Sequence, residues 1–406
     1  MIVGLNFVPS EKQLDRHISH TYNLDSPQLM REMGTLLGPA ILPGNRIRDL
    51  ENGHEIFPAM LEAIKGAKRS ISFETYIYWS GDVGKSFVEA IVERARAGVR
   101  CHVLLDWVGS VKMEQSSIDQ LEDAGVKVQR YHPLSWYHVA RLNNRTHRKV
   151  LVVDGKIGFT GGVGVADLWA GNAEDPEHWR DAHFRVEGPV VAQMQAVFID
   201  NWMKTTGDVL TGEDYFPALE PVGDSPAQMF SSSPSGGSES MQLMYLLAMA
   251  AAEHTIDLSA AYFVVDEHTS RAMVEAAKRG VKVRVIVPGR HIDAEAVRQA
   301  SRGQWGPLLQ AGIEISEFEP TMFHCKIFIV DGMLVSVGST NFDNRSFELN
   351  DEANLNIYDR KFGARMTEVF EQDLKRSKRI TYEAWRKRPL SQRVREKLLA
   401  PFTSQM

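Results

Sequence analysis

THRKVLVVDG, residues 146–155, sets an imidazole and an ammonium two positions apart, just ahead of an apolar run that stops at Asp-Gly. The run 150–153 reads as a buried strand, and Asp154-Gly155 as the tight turn of a hairpin. Extended backbone alternates its side chains, so His147 and Lys149 are expected on one strand face while Arg148 and Val150 point away. Each such aspartate falls at a bend, where holding the turn is its expected task.

The stretch has a second copy. HCKIFIVDG (324–332) repeats HRKVLVVDG (147–155), and His-x-Lys-x4-Asp-x6-Gly occurs at 147/149/154/161 and at 324/326/331/338. The flanks keep step. AKRSISFETYIY (67–78) pairs with AEHTIDLSAAYF (252–263), AGVRCHVLLD (97–106) with RGVKVRVIVP (279–288), and LEDAGVKVQRYHP (121–133) with LLQAGIEISEFEP (308–320). Short β-rich runs alternating with helical stretches predict βαβ units, hence an α/β fold of two similar lobes with mixed, mainly parallel sheets. The expected division is an N-terminal extension (1–42), a first lobe (43–225), a linker (226–240) containing SSSPSGGSES, a second lobe (241–358) and a basic amphipathic helical segment (359–406). The first copy carries an insertion before its motif, with Trp136, Tyr137, His138 and Arg141, that reads as a substrate-facing lid.

Composition narrows the partners. The 406 residues are 43% hydrophobic and 24% charged, ordinary for a globular protein, and no apolar run reaches the eighteen or so residues of a membrane span. Two cysteines, Cys101 and Cys325, supply neither a disulfide framework nor a CxxC pair, which fits a reducing cytoplasmic setting. The net charge of −6 disfavours nucleic acid as a partner. Between Arg360 and Lys397, however, thirteen Lys/Arg face five Asp/Glu, a net +8 that leaves −14 for the remainder. Interleaved with Tyr382, Trp385, Leu390, Val394 and Leu398, those cations suit the anionic surface of a membrane, the alternative being a solvated helical face.

Neither motif offers ligand spacing for a metal, since lysine is a poor ligand and no carboxylate or second histidine stands beside either pair. No metal or cofactor is expected. An imidazole with a fixed cation suits a phosphate ester: histidine attacks or protonates near neutral pH, and lysine balances the phosphoryl oxygens. A neutral imidazole attacks well when a carboxylate holds its other nitrogen. Candidates lie downstream of each copy, Asp181 in HWRDAHFRVEG and Glu352 in RSFELNDEANL. Past the second motif, Gly338, Ser339, Asn341 and Asn344 suit a phosphate oxygen at close range; in the first copy Gly164 stands where Asn341 aligns.

These residues resemble the phospholipase D superfamily, whose signature is His-x-Lys-x4-Asp-x6-Gly-[Ser/Gly]-x-Asn, present twice per active site. Within it the segments from about Pro43 to Phe402 are most like bacterial cardiolipin synthases, in a short form without N-terminal membrane spans. The resemblance implies a metal-independent, two-step phosphatidyl transfer through a phosphohistidine, in one cleft between the lobes. His147, Lys149, Asp154, His324, Lys326 and Asp331 then form the catalytic set, with His147 as nucleophile and His324 as acid. Asp181 and Glu352 match the histidine-orienting acids, and Asn341, Ser339 and Gly162 the substrate-binding positions. The expected reaction makes cardiolipin from phosphatidylglycerol or a related phospholipid, on the inner face of the cell membrane; hydrolysis of phospholipid or nucleic-acid phosphodiesters is the alternative.

Overall fold

Buried β-rich runs and amphipathic helices alternate through the chain as their periodicities require. The computed structural model describes residues 18–131, 144–233 and 238–399. After α1 (Pro27–Leu36), the first half runs β1 (Leu42–Glu51), α2 (Asn52–Gly66), β2 (Ser70–Thr75), α3 (Asp82–Arg96), β3 (Arg100–Asp106), α4 (Gln115–Asp123), β4 (Lys127–Tyr131), β5 (Arg145–Thr146), β6 (Val150–Val153), β7 (Ile157–Gly161), β8 (Ala182–Glu187) and α5 (Val191–Thr206). The second runs β9 (Ser225–Ser232), α6 (Ser238–Ala251), β10 (Thr255–Ala260), β11 (Phe263–Val264), α7 (Glu267–Lys278), β12 (Lys282–Pro288), α8 (Glu295–Gln310), β13 (Glu314–Phe318), β14 (Lys326–Val330), β15 (Leu334–Gly338), β16 (Phe342–Asp343), β17 (Asn350–Tyr358) and α9 (Arg360–Lys375). Then come β18 (Ser377–Ile380), α10 (Tyr382–Arg386) and α11 (Leu390–Leu399).

From a central seam where β1 pairs with β9, the strands follow as β1-β8-β7-β6-β2-β3-β4 on one side and β9-β17-β15-β14-β10-β12-β13 on the other. This is one order written twice, the pattern a twofold relation between halves produces, with β18 added at one edge. The halves therefore share one sheet. Parallel pairing is confined within it to β2-β3-β4 and β10-β12-β13, plus the short β5–β17 pairing across the halves, so the expectation of mainly parallel sheets is corrected: the Asp-Gly hairpins and their neighbours make the inner strands antiparallel.

Two expected boundaries also move. Residues 226–232, assigned to the linker, lie in β9 between β1 and β17, where Ala227, Met229 and Phe230 are buried; serines at 231–233 disguised the strand as linker sequence. Residues 360–375, assigned to the C-terminal segment, form α9, the counterpart of α5, and pack Phe362, Met366, Val369 and Phe370 into a core holding Val335 and Leu355 from their own half and Phe184 and Met194 from the other. One apolar core thus crosses the seam. Trp136, Tyr137, His138 and Arg141 lie outside the described residues.

Both hairpins form as read. Asp154 and Gly155 have φ of 54° and 62°, Asp331 and Gly332 of 49° and 56°, the positive values that a type I′ turn demands at both central positions. The Asp154 carboxylate accepts the backbone N–H groups of Lys68, Arg69 and Ser70, and Asp331 those of Glu253, His254 and Thr255, at 2.7–3.1 Å. Each aspartate therefore ties its turn to the start of the neighbouring strand, β2 or β10. Asp154→Ala should lower unfolding stability by ~1–3 kcal/mol in urea titration. Turnover per folded molecule should stay within about twofold; lost turnover at unchanged stability would put Asp154 in the chemistry instead.

Candidate active site

The segments that carry the motif histidines do not begin as hairpin strands. His147 and Lys149 precede β6, and His324 precedes β14, because their backbone is bonded to the opposite half. β5 lies parallel to Asn350 and Asp351 of β17, and His147 N–H donates to the Asp351 carbonyl at 2.9 Å. At the mirrored position Arg180 pairs with Phe323, and His324 N–H donates to the Arg180 carbonyl at 2.7 Å. Each histidine is thus delivered beside the acid of the other half.

The side chains follow that crossing. His147 Nδ1 lies 2.9 and 3.0 Å from the two oxygens of Glu352, and His324 Nδ1 lies 2.7 Å from Asp181 Oδ2. A carboxylate accepts only, so both Nδ1 atoms donate and both Nε2 atoms keep a lone pair. Lys149 Nζ donates to the His147 carbonyl and Lys326 Nζ to the His324 carbonyl, each at 2.7 Å, and Lys326 Nζ also lies 3.1 Å from His324 Nε2. Both histidines, Lys149 and Asn341 line one cleft of about 650 Å³, with Ile77, Trp79, Leu168 and Val297 as apolar wall.

The arrangement has relatives. A family model described as "Cardiolipin synthase, PLD-like domain" matches residues 60–198 and 245–374, one match on each half. The chain belongs to that phospholipase D-like family. It is 36% identical to a cardiolipin synthase of Geobacillus sp. (strain WCH70) over 360 residues, covering 87% of this chain and 72% of the relative. A probable cardiolipin synthase of Bacillus subtilis (strain 168) is 33% identical over 361 residues, 88% and 72% of the two chains. In fold, the chain is similar to phosphatidylserine synthase of Haemophilus influenzae Rd KW20, with a TM-score of 0.69, 14% identity, and coverage of 93% of this chain and 100% of that one.

Against the family signature, the two halves fill matching positions differently. In the second half Ser339 Oγ donates to Glu352 Oε2 and Asn350 Nδ2 to Oε1. Ser339, expected at substrate, is therefore a positioning residue for the acid and is fully buried behind it. In the first half Trp169 Nε1 donates to Asp181 Oδ2 at 3.0 Å, taking the place of that hydroxyl. Gly162 matches Ser339 in sequence, and a Cβ there would meet Asp181 Oδ1 at 2.2 Å. Its N–H donates to the Ala182 carbonyl, so Gly162 also serves the acid and the sheet rather than substrate. Gly164 is explained in the same way: a Cβ there would meet Ile77 Cβ at 2.8 Å and the Trp169 ring at 3.2 Å. Asn341 alone of the three expected substrate positions faces the cleft, and its Oδ1 has no hydrogen-bond partner among the described residues.

Burial and charge set the protonation. Burial lowers His147 to about 4, with Lys149 adding to the shift and Glu352 opposing it; burial and Lys326 lower His324 to about 3. Burial, then Lys326, lowers Lys149 to about 7, and burial lowers Lys326 as well. For Glu352 and Asp181 burial favours the neutral acid, but the paired histidines and nearby lysines outweigh it and hold both below the usual carboxylate range. The cleft thus holds neutral imidazoles on ionised carboxylates, ready to donate electron pairs near neutral pH.

Several residues of the site escaped the sequence reading. Trp169 and Trp179 flank the His324 ring at 5.5 and 5.3 Å, Tyr76 lies 5.2 Å from His147, and Tyr262 donates to Asp293 at 2.8 Å on the cleft wall. Buried Arg180 forks onto Asp373 of α9 at 2.9 and 3.0 Å and reaches Glu51 at 2.9 Å. A signal existed for Arg180, since it stands directly before Asp181 as Asp351 stands before Glu352. Gly164→Asn, which restores the signature, should lower stability by about 1–3 kcal/mol from overpacking. It should also disturb Trp169, and pairing it with Trp169→Phe should recover part of the loss; thermal unfolding of the two proteins checks this, and an unchanged or raised midpoint for the single variant would contradict the packing account.

Proposed function

We propose that this chain is a phosphatidyltransferase that makes cardiolipin from phosphatidylglycerol through a covalent phosphohistidine. The observation that carries the reading is the crossed pair: two imidazoles on one cleft, each with Nδ1 held by a buried carboxylate of the opposite half and Nε2 left with its lone pair. Family membership and the similarity to cardiolipin synthases support the substrate class. So does the apolar cleft wall, which suits a lipid glyceride better than a nucleic-acid chain.

In the first step His147 Nε2 attacks phosphorus, the P–N bond forms, and the P–O bond to the departing glycerol breaks as His324 supplies its proton. His324 acquires that proton with the substrate, because a phosphodiester anion offsets the Lys326 and Lys149 charges that depress its basicity. In the second step neutral His324 takes the proton of a phosphatidylglycerol hydroxyl, whose oxygen attacks phosphorus while the P–N electrons return to His147. Water in the acceptor's place gives phosphatidic acid, so exclusion of water divides transfer from hydrolysis. Lys149 and Asn341 on the cleft wall, with Lys326 beside His324 Nε2, hold the phosphoryl oxygens, and the Tyr262–Asp293 pair faces the headgroup hydroxyls. The protein works peripherally at the anionic cytoplasmic face of the membrane.

Two measurements test this. Brief mixing with phosphate-labelled phosphatidylglycerol and alkaline quench should trap label on His147, and His147→Ala should lower kcat by about 10³-fold or more. Label on His324 reverses the roles, and no label with no cardiolipin or phosphatidic acid removes the reading. The pH profile of kcat/KM on dispersed short-chain phosphatidylglycerol should fall below about pH 4, where His147 takes up a proton, decline gently with rising pH because the free enzyme must take up the His324 proton, and fall more steeply above about pH 7, where Lys149 loses the charge that binds phosphate. Lys149→Arg should move the upper limb alone to higher pH; an upper limb that stays in place assigns it to another group.

A further inference from the structure

A second cavity, of about 440 Å³, lies outside the catalytic cleft between α8, α10 and α11. Ala300 and Gly303 of α8 form its floor, and Trp385, Arg386, Arg388, Arg393, Glu396 and Lys397 its walls. Its frame is built rather than incidental. Arg388 forks onto buried Glu396 with Nε at 2.8 and 2.9 Å, stacks at 3.9 Å over the Trp385 ring, and so locks α10 to α11. Trp385 Nε1 donates to the Arg302 carbonyl at 2.7 Å, and glycine at 306 lets the indole lie against α8, where a Cβ would meet it at 2.6 Å.

That pairing consumes the one acid on the cavity wall. Arg386, Arg393 and Lys397 have no ion-pair partner among the described residues, so the cavity keeps an excess of three positive charges. Beside it α11 exposes Leu390, Val394 and Leu398, at 72%, 49% and 67%, spaced four apart and hence one apolar stripe. A soluble helix turns such a stripe inward; here the inward face carries Glu396. Cations over an indole-walled cavity, next to an exposed aliphatic stripe, match a molecule with an anionic head and apolar tails.

We propose that this cavity is a second, non-catalytic phospholipid site: the three cations take the phosphodiester of an anionic membrane lipid, and its acyl chains run along the Leu390–Val394–Leu398 stripe. The identity of the anion rests on the lipid chemistry proposed above; the cavity and its charge do not. The site also bears on the cleft, because α8 is common to both. Val297 lines the cleft and Gly303 the second cavity, about 9 Å apart along the helix. A lipid held by α11 is therefore held against the helix that also walls the cleft.

The test uses the full chain carrying His147→Ala, so that vesicles are not consumed, in co-sedimentation with phosphatidylcholine vesicles with and without phosphatidylglycerol. Arg386→Gln, Arg393→Gln and Lys397→Gln together should weaken binding to the anionic vesicles on the order of a hundredfold, at about one kcal/mol per charge. Removing three cations elsewhere, by Lys65→Gln, Arg96→Gln and Arg130→Gln, should change it by less than about threefold. Equal loss in both sets, or none in the first, overturns the proposal. Leu390→Ser, Val394→Ser and Leu398→Ser should weaken vesicle binding while leaving the response of Trp385 fluorescence to soluble glycerophosphate unchanged. Glycerophosphate or inorganic phosphate binding as tightly as vesicles would make this a free-anion site and overturn it too. With His147 intact, the triple glutamine variant should turn over dispersed short-chain phosphatidylglycerol at the parental rate, which shows that it folds. An inactive parent that still binds vesicles through these cations would refute the transferase reading and leave this one standing.

Discussion

The structure depends on two buried carboxylate–imidazole contacts that cross the seam, Glu352 with His147 and Asp181 with His324. A carboxylate taken out of water costs several kcal/mol unless hydrogen bonds and charge replace its hydration. For Glu352 they come from His147, Asn350, Ser339 and the Lys149 charge; for Asp181 from His324, Trp169, the Ala182 N–H and the Lys326 charge. In both lists the histidine and the lysine belong to one half and the acid to the other. Neither half alone can satisfy its acid, so closing the seam and assembling the site are one event.

The seam is held by charge as well as by apolar packing, and its two sides differ. Buried Arg148, between His147 and Lys149, reaches the Val197, Ser232 and Glu352 carbonyls and lies 3.7 Å from Asp351, which also accepts from Tyr131. Its counterpart in the second copy is Cys325, and there the arginine is instead Arg180, on the strand that bears the acid. A guanidinium thus fills each side of the seam from the first half. Removing Arg180 would leave Asp373 as an uncompensated buried charge, and removing Arg148 would leave Asp351 to Lys204 at 3.4 Å and the Tyr131 hydroxyl; the first loss is the more expensive, and both groups fix the register in which the halves meet.

Much of this was legible in the sequence, and for local reasons. The Asp-Gly turns, the alternation beside them and the repeat carried the two-lobed α/β fold and the motif histidines and lysines; the two acids came from the need for a carboxylate behind each imidazole and from the family resemblance. What escaped depended on distance or on composition. Glu352 lies 205 residues from His147 and Asp181 lies 143 from His324, so no spacing reveals that the acids exchange halves. Strand β9 reads as linker because its end runs into Ser231, Ser232 and Ser233, yet Ser231 and Ser232 pair with Ala353 and Glu352 of β17, while Ser225 and Ala227 pair with β1. Ser339 was placed at substrate by its small size and Gly162 by the family resemblance; Ser339 instead gives its hydroxyl to Glu352, and the missing side chain of Gly162 lets Asp181 approach.

The asymmetry of the two halves gives the near-twofold site a direction. In the second half Ser339 is the hydroxyl on the acid and Asn341 keeps its amide toward the cleft; in the first, one indole, Trp169, both bonds the acid and fills the volume that an asparagine at 164 would need. The Asp181–His324 side is therefore walled by Trp169 and Trp179, whereas the Glu352–His147 side keeps polar neighbours, Asn350 among them. A charge developing on an imidazole is better tolerated where polar groups surround it. The nucleophile gains positive character when it bonds to phosphorus, while the acid's task is to lose it. The polar side suits the first role and the indole-walled side the second, which is the physical ground for the proposal that His147 attacks.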